Sequence, residues 1–197
     1  MITTIHRDDV LKFLGYKQPP DTKILHLIDE MLEEGKSLAA PLMRFKEIAH
    51  EKDPPLFLHG AASSYIALAS IGPRLETRSK ELFGTGKPTE GYLLDTIGSL
   101  AIMQVGNRLW EKIKEDAASR GLKKGVRRAP GCEGVALELQ RWIVETFYEP
   151  EMGIHVTPSC MLVPRKSFAF LARFGGELKR TFSCKGCPQY ADCSLRG

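Results

Sequence analysis

A long apolar stripe between residues 92 and 120 constrains this chain more than any other feature. Apolar side chains recur in it every three or four residues, the spacing that places them on one face of a helix. The turns before residue 107 carry almost no charge, which predicts burial on most sides. Gly121 follows as a residue suited to ending the helix. The stripe consists of Leu94, Ile97, Ala101, Val105, Leu109 and Ile113.

Two glycines interrupt this predicted helix, and each precedes a small polar residue, in Gly98–Ser99 and Gly106–Asn107. Inside a helix a glycine costs about 1 kcal/mol relative to alanine, so it usually has a packing or functional reason. Two interpretations follow from the pattern. Another part of the chain packs closely against the helix at these points, or a ligand approaches its backbone there.

A basic loop follows the predicted helix and reads Arg127-Arg128-Ala129-Pro130-Gly131-Cys132. Pro130 fixes its own φ, whereas Gly131 permits backbone geometries closed to other residues. We expect a new helix to begin near Glu133. Two guanidinium groups beside a helix N-terminus suit a carboxylate or a phosphate. The alternative is a structural loop whose arginines are solvated.

The rest of the chain reads as a mixture of helices and strands. Gly35 is expected to end the second helix. Gly175-Gly176 is expected to form a hairpin turn before a last strand. Predicted helices cover residues 6–14, 22–34, 74–83 and a segment from about 133 to 149; predicted strands cover 39–49, 56–58, 65–71, 154–156, 167–174 and 178–182. The sum is an α+β fold, with helices grouped against an antiparallel sheet.

Composition excludes several classes of function. The 197 residues are 43% hydrophobic and 26% charged, ordinary values for a globular domain with a substantial core. The net charge is +4 without a long basic run, so no nucleic-acid partner is demanded. No apolar run approaches the length of a membrane span, and the N-terminus lacks the layout of a signal peptide. We therefore expect a cytoplasmic protein without a membrane partner.

Three of the five cysteines lie in the last fourteen residues, at Cys184, Cys187 and Cys193. Two thiolates separated by two residues can chelate one metal ion or neighbouring irons of a cluster. Cys193 supplies a third ligand, and the first candidate for the fourth is Cys160, followed by Cys132 and His155. Zinc, an iron–sulfur cluster and a redox-active thiol pair all remain open.

Several stretches of the chain, taken together, resemble the activation (reactivation) domain of cobalamin-dependent methionine synthase, and above all stand-alone proteins built from that domain. The matching stretches extend from about residue 5 to residue 183. The resemblance implies an α+β domain over residues 1–183, followed by the cysteine-rich metal-binding tail at 184–197. The stretches are 94–99 with Arg127-x-x-x-Gly131, 67–73, 153–159 and 161–167.

The resemblance also implies binding of S-adenosylmethionine by the basic loop. Arg127 and Gly131 would contact that ligand, with Ala129 and Pro130 presenting their backbone and Cys132 completing the site. A guanidinium can pair with the methionine carboxylate through two hydrogen bonds. The chain departs from the family at two positions. Cys132 replaces a tyrosine, and Met103 stands where we place an acidic residue of the family.

The function implied is that of an accessory protein that reactivates a corrinoid-dependent methyltransferase by reduction. It would dock on the corrinoid-carrying partner, which alone supplies cobalamin, and present S-adenosylmethionine to the reduced cobalt. The cysteine tail would pass an electron from a donor, and this context favours iron–sulfur over zinc. Whether the chain itself is an enzyme stays open. Two alternatives are a metal-binding electron-transfer module of the same fold that has lost the ligand, and an interaction scaffold.

Overall fold

The computed structural model describes residues 5–49, 55–132, 134–147 and 152–175. The helices in these ranges are α1 (Arg7–Phe13), α2 (Thr22–Leu38), α3 (Arg74–Gly84), α4 (Pro88–Ser119) and α5 (Leu139–Thr146), with a short 3-10 helix at Leu56–Leu58. The strands are β1 (Leu42–Ile48), β2 (Ser63–Ser70), β3 (Gly125–Arg128), β4 (His155–Val156), β5 (Leu162–Val163) and β6 (Ser167–Phe174).

Four of these strands form an antiparallel sheet in the order β1-β2-β6-β3. The two central strands pair over their full length, from Ser63 opposite Phe174 to Ser70 opposite Ser167. β1 borders β2, whereas the four residues of β3 border only the C-terminal half of β6. All of β2 is buried, which fits its apolar and small side chains. β4 and β5 form a separate two-stranded ladder.

The alternation of side chains along the strands divides the interior into two apolar clusters. Tyr65 and Phe170 lie in the larger cluster, together with residues from α1, α2, α3 and α4. Ile66 and Leu171 point to the opposite face, where they pack with residues of the 3-10 helix and α5. The predicted α+β fold, with helices against an antiparallel sheet, is confirmed.

The central helix α4 also agrees with its prediction. Every residue of the apolar stripe is buried. The helix begins at Pro88, where the missing N–H is of no consequence because the first turn has no helical acceptor for it. It ends at Ser119, and Gly121 follows with a φ of +81°. The spacing of apolar residues therefore located the element on which the larger cluster is built.

The prediction that Gly35 ends the second helix is wrong, because α2 continues to Leu38. A Cβ at this position would lie 2.9 Å from Cγ2 of Ile97 on α4. The glycine therefore serves a close approach between two helices. The role of Gly35 is therefore set by a contact with a helix that is distant in the sequence.

Two local predictions near the basic loop and the 3-10 helix are wrong. Leu56–Leu58 is a 3-10 helix and not a strand, because the Leu58 N–H turns back to the Pro55 carbonyl at 2.7 Å. The helix expected near residue 133 begins only at Leu139, after a series of turns. The basic loop therefore has no helix N-terminus directly beside it. Its first two residues instead belong to β3.

The hairpin turn at residues 175–176 and the strand at 178–182 extend beyond the described ranges, as does the tail at 184–197. Within those ranges, none of the helices combines the length and the apolar character that a membrane crossing requires.

Candidate functional site: the pocket beside Arg127

The ladder between β3 and β6 ends with Arg128 opposite Leu171. Odd-numbered residues of β6 direct their backbone groups towards β3, as the bond from the Gly175 N–H to the Lys124 carbonyl (3.3 Å) shows. In the register of this ladder, Ala169 lies opposite Pro130. Proline has no N–H to donate, so the ladder cannot continue there. Of the strands described, only β2 pairs with the N-terminal half of β6.

Arg127 reaches from β3 onto α4 near the end of this ladder. Its Nη1 donates to the Gly106 carbonyl at 2.9 Å, and its Nη2 donates to Oδ1 of Asn107 at 2.7 Å. The guanidinium carbon lies 5.7 Å from the ring centre of Trp110 and 5.4 Å from that of Phe170. These contacts fix the side chain in place. They use two of its five N–H groups, which leaves donors for a ligand.

Burial lowers the pKa of Arg127 from its ordinary value, and the negative charge of Glu111 acts in the opposite direction. The group remains a cation, because an arginine pKa lies far above physiological pH. A guanidinium that has lost part of its hydration gains more from an anionic partner than a fully solvated one does. The electrostatics of the site therefore favour a ligand with a negative headgroup.

A pocket of about 280 Å³ opens next to this guanidinium. α4 forms one wall, and β3 and the beginning of β6 form the other. Its polar groups are the guanidinium, one amide and one hydroxyl, and the remaining lining is apolar. Such a pocket suits a small polar headgroup joined to a less polar body. The lining residues are Ile102, Met103, Gly106, Asn107, Arg127, Ser167 and Phe168.

Gly98 and Gly106, the two glycines singled out from the sequence, both pack closely against side chains. A Cβ on Gly98 would lie 2.6 Å from Cδ2 of Leu75, and a Cβ on Gly106 would lie 3.0 Å from Cδ1 of Phe168. Gly106 also lines the pocket and accepts a hydrogen bond from Arg127. The packing interpretation is therefore confirmed at both glycines, and the ligand interpretation stays a prediction for Gly106.

The other predicted binding residues form the turn that follows β3. Pro130 is buried and Cys132 is exposed, and the Cys132 N–H donates to the Ala129 carbonyl at 3.1 Å. Gly131 has a φ of +87°, which favours glycine, and its N–H donates to the Val135 carbonyl at 2.9 Å. The pocket as the described residues define it is not lined by this turn. A contact between the turn and a ligand stays a prediction.

Sequence reasoning missed three residues of the pocket, Ile102, Ser167 and Phe168. The last two belong to a strand whose bounds were predicted correctly, but their position beside Arg127 depends on strand register and helix packing. Asn107 was recognised only as part of a small spot on the helix. The signal that could have found the site is Pro130, since a proline after a short basic strand marks the end of a ladder.

A second polar cluster lies two turns before the pocket on α4. Nζ of Lys166 lies 2.9 Å from Oδ1 of Asp95 and donates to Oγ of Ser99 at 2.8 Å. The lysine is 9% exposed, and its Cε would be 3.2 Å from a Cβ on Gly98. The cation is thus satisfied by its neighbours and ties the start of β6 to α4. We assign this cluster a structural role.

The predicted metal ligands Cys184, Cys187 and Cys193 lie outside the described residues. Cys160 is described and is buried, with a φ of +61° and its N–H bonded to the Thr157 carbonyl at 2.9 Å. In the part of the chain that the structure describes, histidine, cysteine and acidic residues form no group of three that could hold a metal ion. The metal site stays a prediction from the sequence.

The fold defines the class of protein to which this chain is similar. It matches the reactivation-domain fold in the crystal structure described as the MetH reactivation domain bound to AdoHcy, with a TM-score of 0.60. The match covers 89% of this chain and 78% of that chain, at 8% sequence identity. The predicted resemblance is therefore confirmed for the fold. No family model matches the sequence, and no curated protein does either.

Proposed function

We propose that this protein binds S-adenosylmethionine in the pocket beside Arg127 and delivers it to a corrinoid-carrying partner. The observation that carries the proposal is the fixed, partly desolvated guanidinium beside the pocket between α4 and the sheet. Further support comes from the similar solved structure, which contains AdoHcy. The methionine carboxylate would pair with the remaining N–H groups of Arg127.

The turn that follows β3 would supply the second half of the site. Ala169 lies opposite Pro130 in the register of the ladder but is buried, so we propose no ligand contact with its backbone. Ala129, Pro130, Gly131 and Cys132 form this turn, and they would contact the ligand. Gly131 suits this position because it adds no side chain to the turn.

The protein would contribute positioning and electrostatics to a methyl transfer whose acceptor is the reduced cobalt of the partner's cobalamin. Binding in this pocket would hold the sulfonium methyl group towards the partner. The site chemistry of this chain would then be binding and orientation, without a nucleophile or a general base.

Calorimetric titration with S-adenosylmethionine up to millimolar concentration tests the proposal. The unmodified protein is expected to bind, and Arg127→Ala is expected to lose at least about 2 kcal/mol of binding free energy because a charged hydrogen-bond partner is removed. Arg128→Ala is a matched control. Its guanidinium also lies over an aromatic ring, 5.2 Å from the centre of Phe57, but on the opposite face of the sheet.

The control is expected to bind like the unmodified protein. Absence of heat for the unmodified protein would remove the role as methyl-donor carrier. Equal losses in both variants would place the binding site elsewhere, because the two arginines lie on different faces of the sheet.

The cysteine tail would serve the reductive step. Cys184, Cys187 and Cys193, with Cys160 as the first candidate for a fourth ligand, would hold an iron–sulfur cluster or zinc. A cluster would pass one electron towards the cobalt, whereas zinc would only hold the tail together. Anaerobic purification followed by an absorption spectrum and metal analysis separates the two, because zinc proteins are colourless and iron–sulfur proteins are not.

A further inference from the structure

The pocket beside Arg127 contains one cation and no carboxylate among the described residues that line it. Glu111 acts on the arginine from a distance, and Asp95 is engaged with Lys166. A ligand placed here therefore meets a positive environment. The positive charge of the pocket should therefore distinguish between ligands that have the same shape but differ in charge.

S-adenosylmethionine carries a positive sulfonium, whereas S-adenosylhomocysteine, its demethylated product, has a neutral thioether at the same place. With the carboxylate at Arg127 and Asn107, the sulfur lies about 5 Å away along the methionine chain. Met103 is one turn before Asn107 on α4, a rise of about 6 Å. The pocket continues from Asn107 along α4 to Met103 and Ile102, so we place the methionine chain in this direction. The ligand sulfur would then lie against the Met103 side chain, which is 39% exposed.

Met103 offers a sulfonium no compensation. Its thioether is polarisable and uncharged, so it packs well against another thioether but does not offset a positive charge. The partly desolvated guanidinium of Arg127 adds repulsion at close range. A neutral ligand avoids both costs and keeps the pairing between carboxylate and guanidinium.

We infer that Met103 makes this site bind the demethylated product at least as tightly as the methyl donor, so that accumulation of product blocks the protein. The inference rests on the proposed function and adds a regulatory property to it. The protein would respond to the ratio of the two ligands and stop presenting methyl groups when that ratio is low.

The test is calorimetric titration of the full-length protein with each ligand, in the unmodified form and in Met103→Glu and Met103→Gln. In the unmodified protein, the dissociation constant for S-adenosylmethionine should equal or exceed that for S-adenosylhomocysteine. Met103→Glu places a carboxylate beside the sulfonium and should shift the ratio of the two constants about 3- to 10-fold towards the methyl donor. Met103→Gln has similar size without charge and should leave the ratio at its original value.

The outcomes separate this inference from the function on which it rests. Absence of binding for both ligands overturns the proposed function, and the inference falls with it. Binding of both, with a clear preference of the unmodified protein for S-adenosylmethionine, overturns the inference alone. An unchanged ratio in Met103→Glu also overturns it, because the sulfur then does not lie beside residue 103. The ratio of the two dissociation constants in the unmodified protein is itself a test. The inference can therefore be refuted even if a variant folds poorly.

Discussion

Single residues determine where the site lies. Pro130 cannot donate to Ala169, which lies opposite it in the register, so the β3–β6 ladder does not continue to this pair. Arg127, in the last pairs of the ladder, reaches onto α4 and is held there by Gly106 and Asn107. The guanidinium is therefore a structural link between two elements as well as a candidate ligand contact.

Arg127→Lys separates these two roles. A lysine keeps the charge, but it lacks the planar fork that bonds Gly106 and Asn107 together and stacks on the aromatic rings. We expect weaker binding of S-adenosylmethionine, by about 1 kcal/mol or more, with the charge preserved. Calorimetry measures the change, and affinity equal to that of the unmodified protein would show that charge alone suffices.

Gly98→Ala tests the close packing of α4. The added methyl group would lie 2.6 Å from Cδ2 of Leu75 and 3.2 Å from Cε of Lys166. We expect a loss of about 1–3 kcal/mol in the free energy of unfolding, reduced by the better helix propensity of alanine. Urea denaturation measures it. Gly84→Ala is the control, because nothing lies within 4 Å of its Cβ, and it should not destabilise the protein.

At the level of elements, long periodic segments were predictable and short ones were not. α4 and β6 were located correctly because their apolar spacing is set by the face they bury. β3 was read as a loop because four residues with two arginines carry no strand pattern; the strand exists because β6 offers it a partner. The Leu56–Leu58 turn was read as a strand because three apolar residues fit either structure.

The candidate site was also predictable only in part. Arg127 was singled out from the sequence as a candidate ligand contact, but its environment was not predictable, because Asn107, Ser167 and Phe168 reach it through helix packing and strand register. The expected helix N-terminus beside the loop was wrong because turns occupy that segment. The residue types indicate that an anionic group could be bound, but helix packing and the register of the sheet bring the pocket residues together.

Glu76 connects α3 to the segment before β6 and gives a prediction for pH. Its carboxylate accepts from Nζ of Lys80 at 2.7 Å and from the Arg165 N–H at 2.9 Å. Burial opposes ionisation, but these bonds outweigh it, and the pKa of Glu76 lies below its ordinary value of 4.5. The folded state therefore binds this proton less readily than the unfolded chain does.

The resulting stabilisation is fully present above pH 4.5 and is lost as the pH falls through the lower, folded-state pKa. Glu76→Gln should therefore lower the free energy of unfolding by about 1 kcal/mol at pH 7. The two proteins should approach each other in stability under strongly acidic conditions. Denaturant titrations over a pH series measure this, and a constant difference at all pH values would contradict it.

For the whole molecule, the sheet separates two apolar clusters, and the candidate pocket lies beside the larger one. The cysteine tail follows this body in sequence, and we place the boundary between residues 183 and 184. A chain ending at residue 183 should unfold cooperatively and bind S-adenosylmethionine, but carry no iron or zinc. Elemental analysis, denaturation and calorimetry check the three parts, and loss of ligand binding would make the tail part of the ligand site.

The central claim is that S-adenosylmethionine occupies the pocket between α4 and the sheet, beside Arg127. Amide chemical shifts of the ¹⁵N-labelled protein, recorded during addition of the ligand, test it most directly. We predict that the largest changes fall on Gly106, Asn107, Gly131 and Phe168, and that they disappear in Arg127→Ala but persist in Arg128→Ala. Shifts confined to the opposite face of the sheet, or a spectrum that S-adenosylmethionine leaves unchanged, would contradict the claim.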